Sequence, residues 1–146
     1  MALRAGIFPQ PGQVLICDFG PEPDKIAEPG IMKGPLGVKP EMYKERHCVA
    51  LSAGRGLTTI APFSTVAPKT PQKYHYCIPP GAYPFFDPHE ENWLKADMLE
   101  TVSNERLDQP FLAGKRSNVS LSKVDLLEVR KAILHWLGLS RLTEHL

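Results

Sequence analysis

The sequence contains no long apolar run. Nothing in its 146 residues approaches the roughly 20 consecutive apolar residues that a membrane-spanning helix needs, so no membrane partner is expected. Cysteine is scarce and odd in number. Cys17, Cys48 and Cys77 each sit in an apolar run, "VLICDF", "HCVALS" and "YHYCIP". Such cysteines read as small buried hydrophobes in a reducing compartment, not as a disulfide framework. There is no C-x-x-C and no H-E-x-x-H, which removes the usual zinc spacings; no metal and no cofactor is expected. The opening "MALRAGIFPQPG" reaches two prolines too soon for a secretory signal, so the expected location is the cytoplasm, where the sequon at Asn118 has no meaning. Acidic residues are missing from Arg46 to Phe86, while Arg46, Arg55, Lys69 and Lys73 are present there. Proline is missing from the tail: of 15 prolines only Pro110 lies beyond Pro88. The first two-thirds is therefore extended chain and turns, and only the last third is free to form a long helix.

What is present describes one folded domain, expected to span residues 1–146. The chain is 42% hydrophobic and 23% charged, enough to bury a core and stay in solution. A net charge of +1 selects no partner by itself, but the acid-free middle suits a phosphate-rich ligand as well as it suits a plain solvated sheet surface. "GQVLICDFG" predicts a first strand, stopped by Gly20 and Pro21. A long Pro- and Gly-rich loop follows, from about residue 20 to 45. "RHCVALSAG" and "GLTTIAPFST" predict a hairpin turning through "SAGRG". "QKYHYCIP" predicts a fourth strand and "PGAYPFFDPHEEN" a second loop. In "WLKADMLETV" helical spacing fits in part through Leu94, Met98 and Leu99, but the alternation of Leu94, Ala96 and Met98 against Lys95, Asp97 and Leu99, with β-branched Thr101 and Val102, predicts one further strand.

The tail is helical in period. Leu126, Val129, Ile133, Trp136 and Leu137 form a stripe, widened by Leu127 and Leu134, which should lie on the sheet with Glu128, Arg130 and Lys131 in water. Ser122 with Asp125 makes a capping signal and Gly138 a stop, so the helix is expected at about 123–138. Short strands followed by one amphipathic helix describe a mainly β fold: a small, partly closed barrel with a packed C-terminal helix.

Three stretches in this order resemble the PemK/MazF family of toxins from bacterial toxin–antitoxin systems. "PGQVLICDFG" looks like that family's opening strand. "RHCVALSAGRGLTTIAPFST" looks like its central hairpin, with an Arg at the start and a Pro-x-Thr/Ser element at the end, here "PFST". "WLKADMLETVSNERL" looks like its late strand. The resemblance runs from about Pro11 to the final helix. It implies an SH3-like barrel, a homodimer, metal-independent cleavage of single-stranded RNA, and an antitoxin partner that blocks the groove.

RNA can be cut without a metal because its own 2′-OH attacks the neighbouring phosphorus. The protein must accept that proton, stabilise the added negative charge and supply a proton to the leaving 5′-oxygen. By the resemblance, Arg46 is the phosphate and transition-state cation, and Ser64 stands where the family has its catalytic Thr, with Thr65 beside it on the RNA. Lys95 and Asp97 stand where some members have an Arg-x-Asp pair, with Asp97 as base and Lys95 as charge stabiliser. His47 follows the hairpin Arg where Pro is common and, like His75, titrates in a useful range. Arg55 in the acid-free hairpin and Lys44 beside Tyr43 and Lys39 in the long loop are candidate RNA contacts. Each of these has a plainer reading: Ser64 as a turn hydroxyl, Lys95 and Asp97 as a cross-strand ion pair, the histidines as packing residues. The alternative function is a non-catalytic SH3-like module that binds nucleic acid or a protein; a small-molecule enzyme has no cofactor motif behind it.

Overall fold

A computed structural model describes residue 3, residues 8–21 and residues 42–146. Most of the long loop expected at about 20–45, Lys39 included, lies outside the described residues. The strands in chain order are β1 (Gln13–Asp18), β2 (Glu45–Gly54), β3 (Leu57–Ser64), β4 (His75–Ile78), β5 (Asn92–Lys95), β6 (Glu100–Ser103), β7 (Leu107–Asp108), β8 (Phe111–Leu112), β9 (Lys115–Arg116) and β10 (Val119–Ser120), followed by helix α1 (Lys123–Trp136). Among the described residues every strand pairing is antiparallel. The main sheet runs β10-β1-β2-β3-β5-β4, with β6 also on β3 and β7 also on β1.

Period two along these strands builds two cores, one on each face of the sheet. Val14, Val49, Ala61, Phe63 and Leu94 face α1, whose Val129 and Ala132 close on them, while Phe85 and Phe86 come from the 79–91 loop. Leu15, Cys17, Cys48, Ala50 and Ile60 face the other way and meet Val102 and Leu107. That second core fills a ring of β1, β2, β3, β6 and β7. β6 and β7 are joined by the chain through a 3-10 turn at Asn104–Arg106 and not by a ladder, so the ring is a partial barrel. Thr58, fully buried in it, donates to Asn104 Oδ1 at 2.6 Å.

The single strand expected across Trp93 to Val102 is corrected to strand, turn, strand. Phe63 faces Leu94 and Ile60 faces Glu100. Three steps along β3 thus correspond to six along its partner, and the three surplus residues are the 3-10 turn Ala96–Met98. An odd insertion inverts the alternation. Leu94 consequently enters one core and Val102 the other, although both are even-numbered.

The helix begins at the expected cap, where Ser122 accepts from the Asp125 amide at 3.1 Å, and it stops before Gly138 at φ +77. Its apolar stripe is narrower than its period suggests. Trp136 is 45% and Leu137 53% exposed, near the edge of the sheet at β4; Trp136 meets Tyr74 in a T-shaped pair, 5.0 Å between ring centroids. The short β8–β9 hairpin and β10 lie in a stretch where the sequence offers no period to read.

Candidate nucleic-acid interface

The pairing register gathers the candidate residues on one face. Cys48 stands opposite Pro62. Arg46 lies two residues before Cys48 and Ser64 two after Pro62, so both project to the same side, at the end of the ring where β2 begins and β3 finishes. Ser64 is in turn opposite Trp93, and Trp93 opposite Cys77. Lys95 and His75, also directly opposite one another, continue that face. The first core takes the alternate positions, Val49, Phe63 and Leu94, and this row continues the face of the second core past its end.

Arg46 is half-buried. Its Nε donates to the Tyr43 carbonyl at 3.0 Å, and its guanidinium lies 5.2 Å from the Tyr43 ring centroid. The Lys44 ammonium lies 5.3 Å from the same ring. Lys44 is exposed, at φ +65. Tyr43 therefore carries two cations, an arrangement that cation–π attraction favours and that presents positive charge beside an aromatic surface. The Ser64 side chain is nearly buried, and its Oγ accepts from the Val66 amide at 3.1 Å; the hydroxyl proton is still available to donate. Thr65, the next residue, is exposed.

Lys95 and Asp97 are near one another, but not as strand neighbours. Lys95 ends β5 and Asp97 sits in the 3-10 turn, so their shared side comes from the turn and not from a strand's alternation. Asp97 Oδ1 lies 3.7 Å from His75 Nε2 and, among the described buried side-chain atoms, is without a hydrogen-bond partner. The His75 side chain is 6% exposed and that of Asp97 24%. His75 Nδ1 accepts from the Gln72 amide at 3.0 Å, which leaves Nε2 to carry the proton and turns it toward the carboxylate.

Two candidates lie elsewhere. Arg55 occupies the β2–β3 turn at φ +55, followed by Gly56 at φ +77, and is exposed. From there to Ser64 runs the whole of β3, on the order of 25 Å at about 3.3 Å per residue. His47 alternates with Arg46 and so faces the opposite core, its ring edge-on to Phe86 at 5.1 Å between centroids. Burial holds its pKa below the ordinary 6.5.

Glu100 is a residue the sequence reading passed over. It stands opposite Ile60, which puts it on the same face of the sheet as Arg46 and Ser64, and its side chain is exposed. Its carboxylate, after burial, helps push the Cys17 thiol up to about 12, while Arg106 pulls the other way. Its signal was the two-residue spacing to Val102, hidden by the inversion at the 3-10 turn.

No helix among the described residues is long and apolar enough to cross a membrane. No family model matches the chain. An uncharacterized protein of Haemophilus influenzae is 28% identical over 142 residues, covering 93% of this chain and 94% of that one. Among solved structures, an endoribonuclease in complex with its cognate antitoxin, from a mycobacterial species, aligns with a TM-score of 0.56 and 14% identity, over 90% of this chain and 96% of that chain. The likeness is one of fold: a mainly antiparallel β-sheet closed by one C-terminal helix is common to this chain and to that endoribonuclease.

Proposed function

We propose that the protein is a PemK/MazF-type toxin, a metal-independent endoribonuclease that cuts single-stranded RNA as a homodimer and is held in check by a small antitoxin. The observation that carries this reading is the common face of Arg46, Ser64 and Lys95, with Asp97 and His75 beside them, on a fold shared with an endoribonuclease. In this reading the 2′-oxygen attacks phosphorus while the Asp97 carboxylate takes its proton. Arg46 and Lys95 stabilise the charge that builds on the phosphate oxygens, and the Ser64 hydroxyl donates to one of them. The bond from phosphorus to the 5′-oxygen breaks, and that oxygen takes a proton from solvent water, which in turn recovers the proton held by Asp97. The products are a 2′,3′-cyclic phosphate and a 5′-hydroxyl. Thr65 and Lys44 hold the strand, and His75 lies beside Asp97 at 3.7 Å.

The test is incubation of the full chain with long single-stranded RNA in excess EDTA, beside Arg46→Ala, with 5′ ends mapped. Discrete cuts with 5′-hydroxyl ends, reduced on the order of a hundredfold or more in the variant, are expected, since a preorganised charge-stabilising donor is worth that much. Intact RNA with a folded chain would favour the second reading, an RNA-binding module without catalysis. The engagement of Ser64 Oγ by the Val66 amide supports that second reading, because it is what a turn hydroxyl does.

A further inference from the structure

On the face of β2 away from Arg46, Glu45 and His47 line a recess of 320 Å³ together with Ile16, Phe85, Phe111 and Arg116. Its volume is at the small end of ligand sites, which run from about 300 to 1,000 Å³, and suits one flat ring system better than a whole nucleotide. Phe111 is 57% exposed, and the Arg116 guanidinium lies 4.0 Å from its ring centroid, fixing the ring. Arg116 is itself engaged: it donates to the Gln109 carbonyl at 2.7 Å and lies 3.6 Å from the Asp108 carboxylate. The recess therefore has little to offer a phosphate. Its polar groups are the exposed Glu45 carboxylate and the His47 ring, which burial keeps neutral near pH 7 with one donor and one acceptor nitrogen.

We propose that this recess binds a guanine base. A carboxylate accepts two parallel N–H bonds where a ligand presents two adjacent donors. Guanine does so with N1–H and its N2 amino group. Adenine and cytosine set their amino group beside an acceptor nitrogen, and uracil flanks its one N–H with two carbonyls. The wide purine also covers more of Phe111 than a pyrimidine would, and the His47 N–H suits a purine O6 or N7. Glu45, Arg46 and His47 are consecutive at the start of β2, their Cα atoms about 3.8 Å apart. A strand of RNA crossing that end sets a phosphate on Arg46 and a base in the recess. In that sense the inference rests on the ribonuclease reading and adds a base preference to it.

The test titrates the full ¹⁵N-labelled chain with guanosine, inosine and adenosine. These nucleosides lack a phosphate, so Arg46 plays no part. Guanosine is expected to shift the amides of Glu45, His47 and Phe111 in a saturable way, and inosine, lacking the N2 amino group, to bind about tenfold more weakly. Glu45→Gln should fold as the parent does and lose the difference between guanosine and inosine. Equal response to all three nucleosides, or no shift at these residues, overturns the proposal. Cleavage of RNA without guanosine binding overturns the base pocket alone. Guanosine binding without cleavage sustains the pocket and removes the ribonuclease.

Discussion

Asp97 carries the least comfortable atom on the candidate face. Its Oδ1 is buried without a hydrogen bond, 3.7 Å from His75 Nε2, too far for the imidazole to satisfy it. An unsatisfied buried charged oxygen costs at least about 1–3 kcal/mol, and such a cost persists most readily where function holds it in place. Asp97→Asn removes the charge and keeps the shape. If Asp97 is the base, cleavage should fall by about 10² to 10⁴ while thermal stability holds or rises. Normal cleavage in a destabilised variant would assign Asp97 to structure. His47 gives a prediction of a different kind. Burial lowers its folded pKa below 6.5, so in acid the unfolded chain binds the extra proton first. This contribution to stability is complete above the unfolded value and is lost as pH falls from about 6.5 toward the folded value. Melting followed from pH 7.5 to 5 should slope downward for the parent and less steeply for His47→Phe, which keeps a ring against Phe86; parallel curves would mean that some other group sets the slope.

At the scale of elements, α1 is fastened by one carboxylate. Asp125 accepts from the Tyr76 hydroxyl of β4 at 2.6 Å and from the Tyr83 hydroxyl of the loop, while Ser122 caps its amide. Burial first, and then this carboxylate, push both tyrosine pKa values up, so the phenols remain donors at any ordinary pH. The negative charge also sits in the first helical turn, where the helix dipole favours it. Asp125→Ala takes the acceptor from the Tyr76 hydroxyl, while the Tyr83 hydroxyl keeps Ser122, whose Oγ lies at 3.1 Å and whose amide donates to it at 2.9 Å; the change should cost roughly 1–3 kcal/mol in denaturant unfolding, with Tyr76→Phe costing about 1 kcal/mol. A loss below 0.5 kcal/mol, as is usual for surface substitutions, would show that the helix is held by its apolar face alone. The cap at Ser122 was legible, because a cap is a local signal of residue type and spacing. So was the β2–β3 turn, whose Arg55 and Gly56 take the two positive φ values of a tight hairpin. The break at Ala96–Met98 was not. It follows from register against β3, and both the helical and the strand readings of "WLKADMLETV" match it in part. Tyr76 and Tyr83 meeting on Asp125 was not legible either, since they are 49 and 42 residues from it in sequence.

Across the whole molecule, charge is arranged and not accumulated. The fold class was readable from strand lengths and the proline-free tail, but the row of Arg46, Ser64, Lys95 and His75 follows from pairings between strands far apart in sequence. With a net charge of +1, general attraction for a polyanion is weak, so under the proposed function RNA would be held by these few side chains. Arg46, Lys95 and Lys44 are the cations on or beside the row. If all three meet phosphates, counterion release predicts log K falling with log [salt] at a slope of about −2, from roughly 0.7 per neutralised phosphate on a single strand. Arg46→Ala should make that slope shallower by about 0.7 and weaken binding across RNA sequences alike; Arg55→Ala, at the far end of the hairpin, should leave it unchanged. The measurement is fluorescence anisotropy of a labelled non-cleavable RNA, carrying 2′-deoxy substitutions, from 50 to 300 mM salt, ranges set by the same counterion argument. A slope steeper than about −4 would require more cations than the row holds and would move the interface elsewhere. A slope near zero would leave no phosphate on Arg46 at all, and with it no chemistry at this face.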